Sequence, residues 1–294
     1  MPPGYESFFG LFERPFSLTP DARYHFRSRA HARALAGLSA GLARHAPILL
    51  LTGDLGTGKS TLCRTLARTY QRTTTVSYIA NGLLSPEELY RRLLQDLGAV
   101  GTHDDERRRL AQADRSELAV KVADALKHGT GPAPFVMIDE AHLLPPMTAD
   151  HIISLASLDR AGRPLLQVLL ASQPAEDGSP TLPQAAEESV LHRARLTPLD
   201  RDECEAYIQH RLNVAGAAPI VIAPRTVDVL YGLSAGVPRL VNLLCERAMQ
   251  EAAALSLRRL EHSMFETAAS SLALLRMRSQ RFRWFGVQRR AANM

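Results

Sequence analysis

"PILLLTGDLGTGKSTLCRTLA", residues 47–67, decides how the rest of the chain is read. Pro47 to Thr52 is a short, continuous apolar run, the pattern of a strand buried on both faces of a parallel sheet. A glycine-rich loop follows at once, and from Leu62 to Tyr70 apolar residues recur at helical spacing. Strand, glycine loop and helix therefore come in the order that a GxxxxGK[ST] phosphate loop requires. Gly53, Asp54, Leu55, Gly56, Thr57, Gly58, Lys59, Ser60 and Thr61 make up that loop. Its glycines let successive backbone N–H groups point into one concavity, and the helix N-terminus adds the positive end of its dipole. Lys59 is predicted to reach the β- and γ-phosphates of ATP and Ser60 to hold Mg²⁺. Only three lysines occur among the 35 Lys and Arg residues, so the choice of Lys here is informative. A compact ammonium on a flexible stem fits inside such a loop where the broad guanidinium of Arg does not.

About eighty residues downstream, "FVMIDEAH" (135–142) is a second buried-strand pattern, ending in two acids. Open α/β sheets bind ligands at the C-terminal edges of their strands. Asp139 is predicted to hold the Mg²⁺ water shell, and Glu140 to orient and polarise the attacking water. His142 follows the acids and is assigned no chemistry.

Around these motifs the chain falls into four stretches. Residues 1–45 are an aromatic, proline-punctuated lead-in with Phe8, Phe9, Phe12 and Phe16, then a first helix over 30–42, expected to pack on the nucleotide-binding core. Residues 46–199 carry alternating strands and helices, with further strands at 74–80 and 164–172 and a capping-box start at Ser85-Pro86-Glu87-Glu88. That alternation implies a parallel sheet covered on both faces. Residues 102–115 read as an exposed polar connection before a helix over 116–127, and 174–183 as loop. From Asp200, with Glu203 three residues on, residues 200–275 turn wholly helical, as a lid would. Residues 276–294 form a tail in which arginines interleave with Phe282, Trp284 and Phe285, a mixture suited to nucleic acid, to an anionic membrane surface, or to an untethered terminus.

Composition narrows the class. The net charge of +5 is mildly basic, below the density of a dedicated nucleic-acid binder. Cys63, Cys204 and Cys245 are widely spaced and form neither a CxxC nor a Cys/His cluster. No signal-peptide pattern and no run of about eighteen apolar residues occurs, so a cytoplasmic chain is expected, peripheral at the inner membrane if the tail makes that contact.

Taken together, "FFGLFERPFSLTPD", "LLLTGDLGTGKSTLCR", "FVMIDEAHLL", "LLQVLLASQP" and "SAGVPRLVNLLCERAM" resemble, in order and spacing, the ExeA/GspA-type AAA+ ATPases of bacterial secretion, with their DEAH sequence, over residues 5–270. The resemblance implies an α/β P-loop NTPase of the AAA+ class with a C-terminal helical lid, ATP hydrolysis, and assembly into a homo-oligomeric ring or filament. It also implies that Arg239 of "GVPR" is the sensor-2 arginine, that Ser172 or Gln173 is sensor 1, and that Arg193 or Arg195 supplies an arginine finger. Pro238-Arg239 also reads as a plain helix start with Arg pairing a carboxylate. By the resemblance, longer relatives continue into a membrane span and a peptidoglycan-binding domain, and this chain is expected to act without direct coupling to the cell wall.

Three functions follow as expectations. The first is an ATPase motor or switch serving an envelope assembly such as a secretion or pilus system, through an inner-membrane partner. The second is a DNA-associated regulatory ATPase resembling the MuB and TnsC transposition regulators, bound to duplex DNA. The third is a nucleotide-dependent scaffold with vestigial hydrolysis.

Overall fold

The computed structural model describes residues 4–19, 21–100, 104–174, 182–216 and 221–272. In chain order the helices are α1 (Tyr5–Phe9), α2 (Arg29–Ala43), α3 (Lys59–Tyr70), α4 (Pro86–Asp96), α5 (Asp104–Gln112), α6 (Arg115–His128), α7 (Pro146–Ala156), α8 (Gln184–Glu188), α9 (Arg201–Val214), α10 (Pro224–Ser234), α11 (Pro238–Ala254) and α12 (His262–Ser271). The strands are β1 (Ile48–Gly53), β2 (Val76–Ile79), β3 (Phe135–Ile138), β4 (Asp159–Arg160), β5 (Arg163–Pro164), β6 (Gln167–Ser172), β7 (His192–Leu196), β8 (Val221–Ile222) and β9 (Arg259–Leu260). They divide into two compact units, Arg29–Thr197 and Met1–Ser28 with Pro198–Met294.

In the first unit five parallel strands lie in the order β2-β3-β6-β1-β7. Successive residues of a strand point to opposite faces, and the central strands show the consequence. Ile48, Leu50, Val136, Ile138, Val168 and Leu170 join one apolar cluster with helices α4, α6 and α7. Leu49, Leu51, Phe135, Met137, Leu169 and Ala171 join another with α2 and α3. Both faces are buried, which is why these strands read as unbroken apolar runs. The edge strand β7, "HRARL", has four partly or fully exposed residues before buried Leu196, and so gives no such run.

Helix starts follow local chemistry. Ser85 Oγ accepts from Glu88 N (3.2 Å) while Glu88 Oε2 accepts from Ser85 N (2.7 Å), a closed capping box. Asp200 and Glu203 make the same reciprocal pair at α9. Residues 104–112, expected as a connection, form α5 instead: Arg91 donates to the carbonyls of Leu110, Ala111 and Ala113 (each 3.3 Å), ending that helix with a cation where carbonyls lack partners.

In the second unit the lead-in and the C-terminal helices share one core. Tyr5, Phe9, Leu11, Phe16 and Tyr24 are buried with Tyr207, Leu212, Leu244 and Phe265. Helix α2 packs in the α/β unit through Ala30, Ala34, Leu38 and Leu42, and the lead-in side chains join the core of the helical unit. The reason is in the side chains: Arg211, buried at the C-terminal part of α9, donates to the carbonyls of Pro15 and Ser17 and lies 4.5 Å from the Tyr24 ring centroid. Among the described residues no helix is long and apolar enough to cross a membrane. The basic tail over 276–294 and most of the 174–183 loop lie outside the described residues.

Candidate nucleotide site

β1 ends at Gly53 and α3 begins at Lys59, so the loop joins a central strand to a helix N-terminus. Gly58 precedes the helix at φ 104°, a conformation L-residues avoid, and an added Cβ would sit 2.7 Å from Nε2 of His31 on α2. No side chain caps α3, so its first N–H groups stay available for an anion. Thr57, buried, folds its Oγ1 back to donate to Asp54 O (2.8 Å), which closes the loop on itself. Leu55 projects outward, 59% exposed.

Lys59 is only 4% exposed and donates Nζ to Gly53 O (2.8 Å) and Asp54 O (3.2 Å). Burial holds its ammonium below the ordinary lysine range; Glu140, Asp139 and Asp54 act in the opposite sense. An ammonium held by neutral carbonyls keeps its full charge, and a cradle that excludes most solvent screens its attraction for phosphate less than water would.

Asp139 and Glu140 leave the C-terminal end of β3, adjacent to β6 and one strand removed from β1. Asp139 is 2% exposed; its Oδ1 accepts from Glu140 N (3.0 Å) and its Oδ2 from Tyr78 OH (2.9 Å). Glu140 adopts a left-handed backbone, φ 51°, which for a residue other than glycine or asparagine carries a cost of about 1 kcal/mol. Its Oε2 accepts from Gln173 Nε2 (2.9 Å) and lies 3.5 Å from His142 Nε2. Of the two sensor-1 candidates, then, Gln173 meets Glu140, while buried Ser172 turns its hydroxyl to Gln173 O (3.3 Å).

Two arginine candidates sit on β7. Arg193 is engaged by Glu187, through its carboxylate and, at 2.9 Å, its carbonyl. Arg195 is exposed and makes no ion pair among the described residues. Arg239 belongs to the helical unit, on the first turn of α11 behind Pro238, exposed and without an ion pair among the described residues. The "AGVPR" turn before it depends on Gly236, at φ 70°, whose added Cβ would lie 1.9 Å from Leu199 O, while Leu199 N donates to Gly236 O (2.9 Å).

Sequence reasoning missed two residues here. Tyr78 contacts Asp139 and His142 approaches Glu140, and neither has a signal of its own: an aromatic in a strand and a histidine after an acid pair are ordinary. The donor set fits a magnesium nucleotide. A hard cation takes oxygen ligands such as the Ser60 hydroxyl and the Asp139 carboxylate, and each Asp139 oxygen keeps a lone pair beyond its one protein donor.

Comparison with known proteins agrees with this geometry. The AAA domain family matches residues 43–177. General secretion pathway protein A of Aeromonas hydrophila is 33% identical over 275 residues, covering 92% of this chain and 49% of that protein. This chain thus spans about half the length of that relative. Among solved structures, Cdc6p of Pyrobaculum aerophilum superposes with a TM-score of 0.65 at 16% identity, covering 84% of this chain and 67% of that one. The Orc1 protein of Aeropyrum pernix, solved in complex with DNA, gives 0.63 at 18% identity, covering 89% and 70%. At these identities the structural likeness speaks for the fold alone.

Proposed function

We propose, from the premise that this chain belongs to the AAA+ P-loop proteins similar to general secretion pathway protein A, that it is a Mg²⁺-dependent ATPase acting as an oligomeric switch for an envelope assembly. The observation that carries the ATPase reading is that buried Lys59, opening the helix after β1, lies close enough to Asp139 and Glu140, beyond β3 one strand away, for their charges to act on it. The α3 N-terminus and Lys59 hold the phosphates and offset charge that develops on the γ-phosphoryl oxygens. Ser60 and Asp139 would hold Mg²⁺, which would supply positive charge to offset that of the phosphates. Glu140 accepts hydrogen bonds from the attacking water and aligns it, and the Gln173 amide fixes the rotamer from which it does so. Arg239 is the sensor-2 candidate by the family resemblance. Arg193 is engaged by Glu187, which leaves Arg195 as the freer of the two β7 arginines for a neighbouring subunit.

The envelope role rests on the 33% identity to a secretion protein and on nothing in the site itself. A DNA-associated regulatory ATPase is the second reading; the excess of Arg permits phosphate contacts, although a net charge of +5 does not by itself call for them. One experiment addresses all of this: steady-state ATP hydrolysis over a range of protein concentrations, with and without duplex DNA, with Glu140→Gln as the blank. Turnover that rises with protein concentration and ignores DNA supports the oligomeric switch. Further stimulation by DNA that fades with salt moves the function to the second reading, and turnover no greater than the blank removes the hydrolase.

A further inference from the structure

We propose that Tyr78 is a positioning residue for the cation-binding carboxylate of Asp139, an inference that rests on the nucleotide-site reading above. Tyr78 is the penultimate residue of β2 and pairs in parallel register with Met137, two residues before Asp139. With Val76 it occupies the sheet face covered by α2 and α3. Its ring spans from the phosphate-loop helix to the acid: the Arg64 guanidinium of α3 lies 5.9 Å from the ring centroid, and the hydroxyl donates to Asp139 Oδ2 at 2.9 Å.

The other oxygen, Oδ1, accepts the Glu140 amide at 3.0 Å. One backbone donor and one phenol therefore hold the carboxylate at both oxygens, fixing its rotation about Cβ–Cγ. With roughly two acceptor directions per oxygen, each keeps one for a cation or its water shell.

Packing alone does not account for the contact. Tyr78 is only partly buried, and the ring's apolar contacts do not require a hydroxyl. What the hydroxyl uniquely does is restrain an acid that is 2% exposed and that has, among the described residues, one other donor. Groups of this kind, one bond removed from a metal, commonly tune its affinity by about 10- to 100-fold.

The test is Tyr78→Phe in the full chain, which keeps the ring and removes the hydroxyl. Binding of a fluorescent ATP analogue is titrated with Mg²⁺, repeated in EDTA, and set beside hydrolysis against Mg²⁺ concentration and the thermal midpoint. The expected result is a rise of about ten-fold in half-saturating Mg²⁺, with Mg²⁺-free nucleotide binding unchanged and turnover recovered at saturating Mg²⁺. An unaltered half-saturation overturns the proposal. So does an equal loss of binding with and without Mg²⁺, which is the signature of a merely structural tyrosine. A parent chain that binds nucleotide with no Mg²⁺ dependence removes the role of Asp139, and this inference with it; a parent chain that binds no nucleotide removes the site reading first.

Discussion

The α/β unit and the helical unit each bury a cation, and they use it in opposite ways. Lys59 lies within six residues of the carbonyls it holds, Gly53 and Asp54, and its charge has acids close enough to act on it. Arg211 reaches Pro15, 196 positions away, and has tyrosine rings and carbonyls around it with, among the described residues, no carboxylate in contact. The first is a mobile point charge in a cradle that can exchange carbonyls for phosphate. The second is a planar, always-charged group whose donors go to two main-chain carbonyls and the Tyr207 hydroxyl, a geometric tie rather than a binding group. A buried cation thus signals ligand binding when its partners are replaceable, and architecture when it satisfies carbonyls that would otherwise be orphaned.

Glu140→Gln is the strongest way to break that contrast. Turnover should fall about a thousand-fold, within the usual span for a lost general base, while ATP still binds and accumulates in the assembled state. Loss of binding along with turnover would contradict its role. Lys59→Ala comes next: the loss of charge-assisted phosphate contacts should weaken ATP binding about a hundred-fold or more, with little change in the melting of the unliganded chain. Calorimetric titration separates this from Glu140→Gln.

Arg211→Met should do the reverse. It leaves ATP affinity near the parent value and destabilises the helical unit by about 2–4 kcal/mol, because the Pro15 and Ser17 carbonyls lose their donor. Proteolysis within the lead-in, ahead of the α/β unit, would report it. Nucleotide affinity that falls as far as stability would show that the tie serves the site after all.

The smallest effect is a dependence on pH. His25 and His210, both in the helical unit, are held below the ordinary imidazole value of 6.5, each by burial first, then by Arg27 and His210 for the one and Arg211 for the other. The folded state therefore binds fewer protons than the unfolded chain once the pH drops below about 6.5. The stability this contributes is complete above that value and is lost as pH falls through the depressed folded values. The thermal midpoint should decline by a few degrees between about pH 7 and 5, and replacing both histidines by Gln should flatten the slope.

Legibility followed the range of the interactions. The phosphate loop could be read because its requirements are local: an apolar strand, glycines at fixed offsets and a lysine, all within twelve residues. The capping boxes at Ser85 and Asp200 were equally plain, since each closes over three residues. The strand β7 was hidden because an edge strand alternates, and its exposed arginines look like loop. Helix α5 was hidden because its charged residues carry no apolar stripe, and Arg91 from another helix stops it.

The sequence by itself determined the phosphate loop, the acid pair and the alternation of core strands and helices, and thereby a P-loop α/β fold, because each is specified by side-chain period and local backbone demand; the AAA+ class came from the family resemblance. Only the tertiary structure decided that the lead-in joins the helical unit, that Gln173 rather than Ser172 meets Glu140, and that Tyr78 holds Asp139. Those choices depend on strand register and on contacts between residues tens to hundreds of positions apart. A linear pattern carries no record of which distant partner closes the bond.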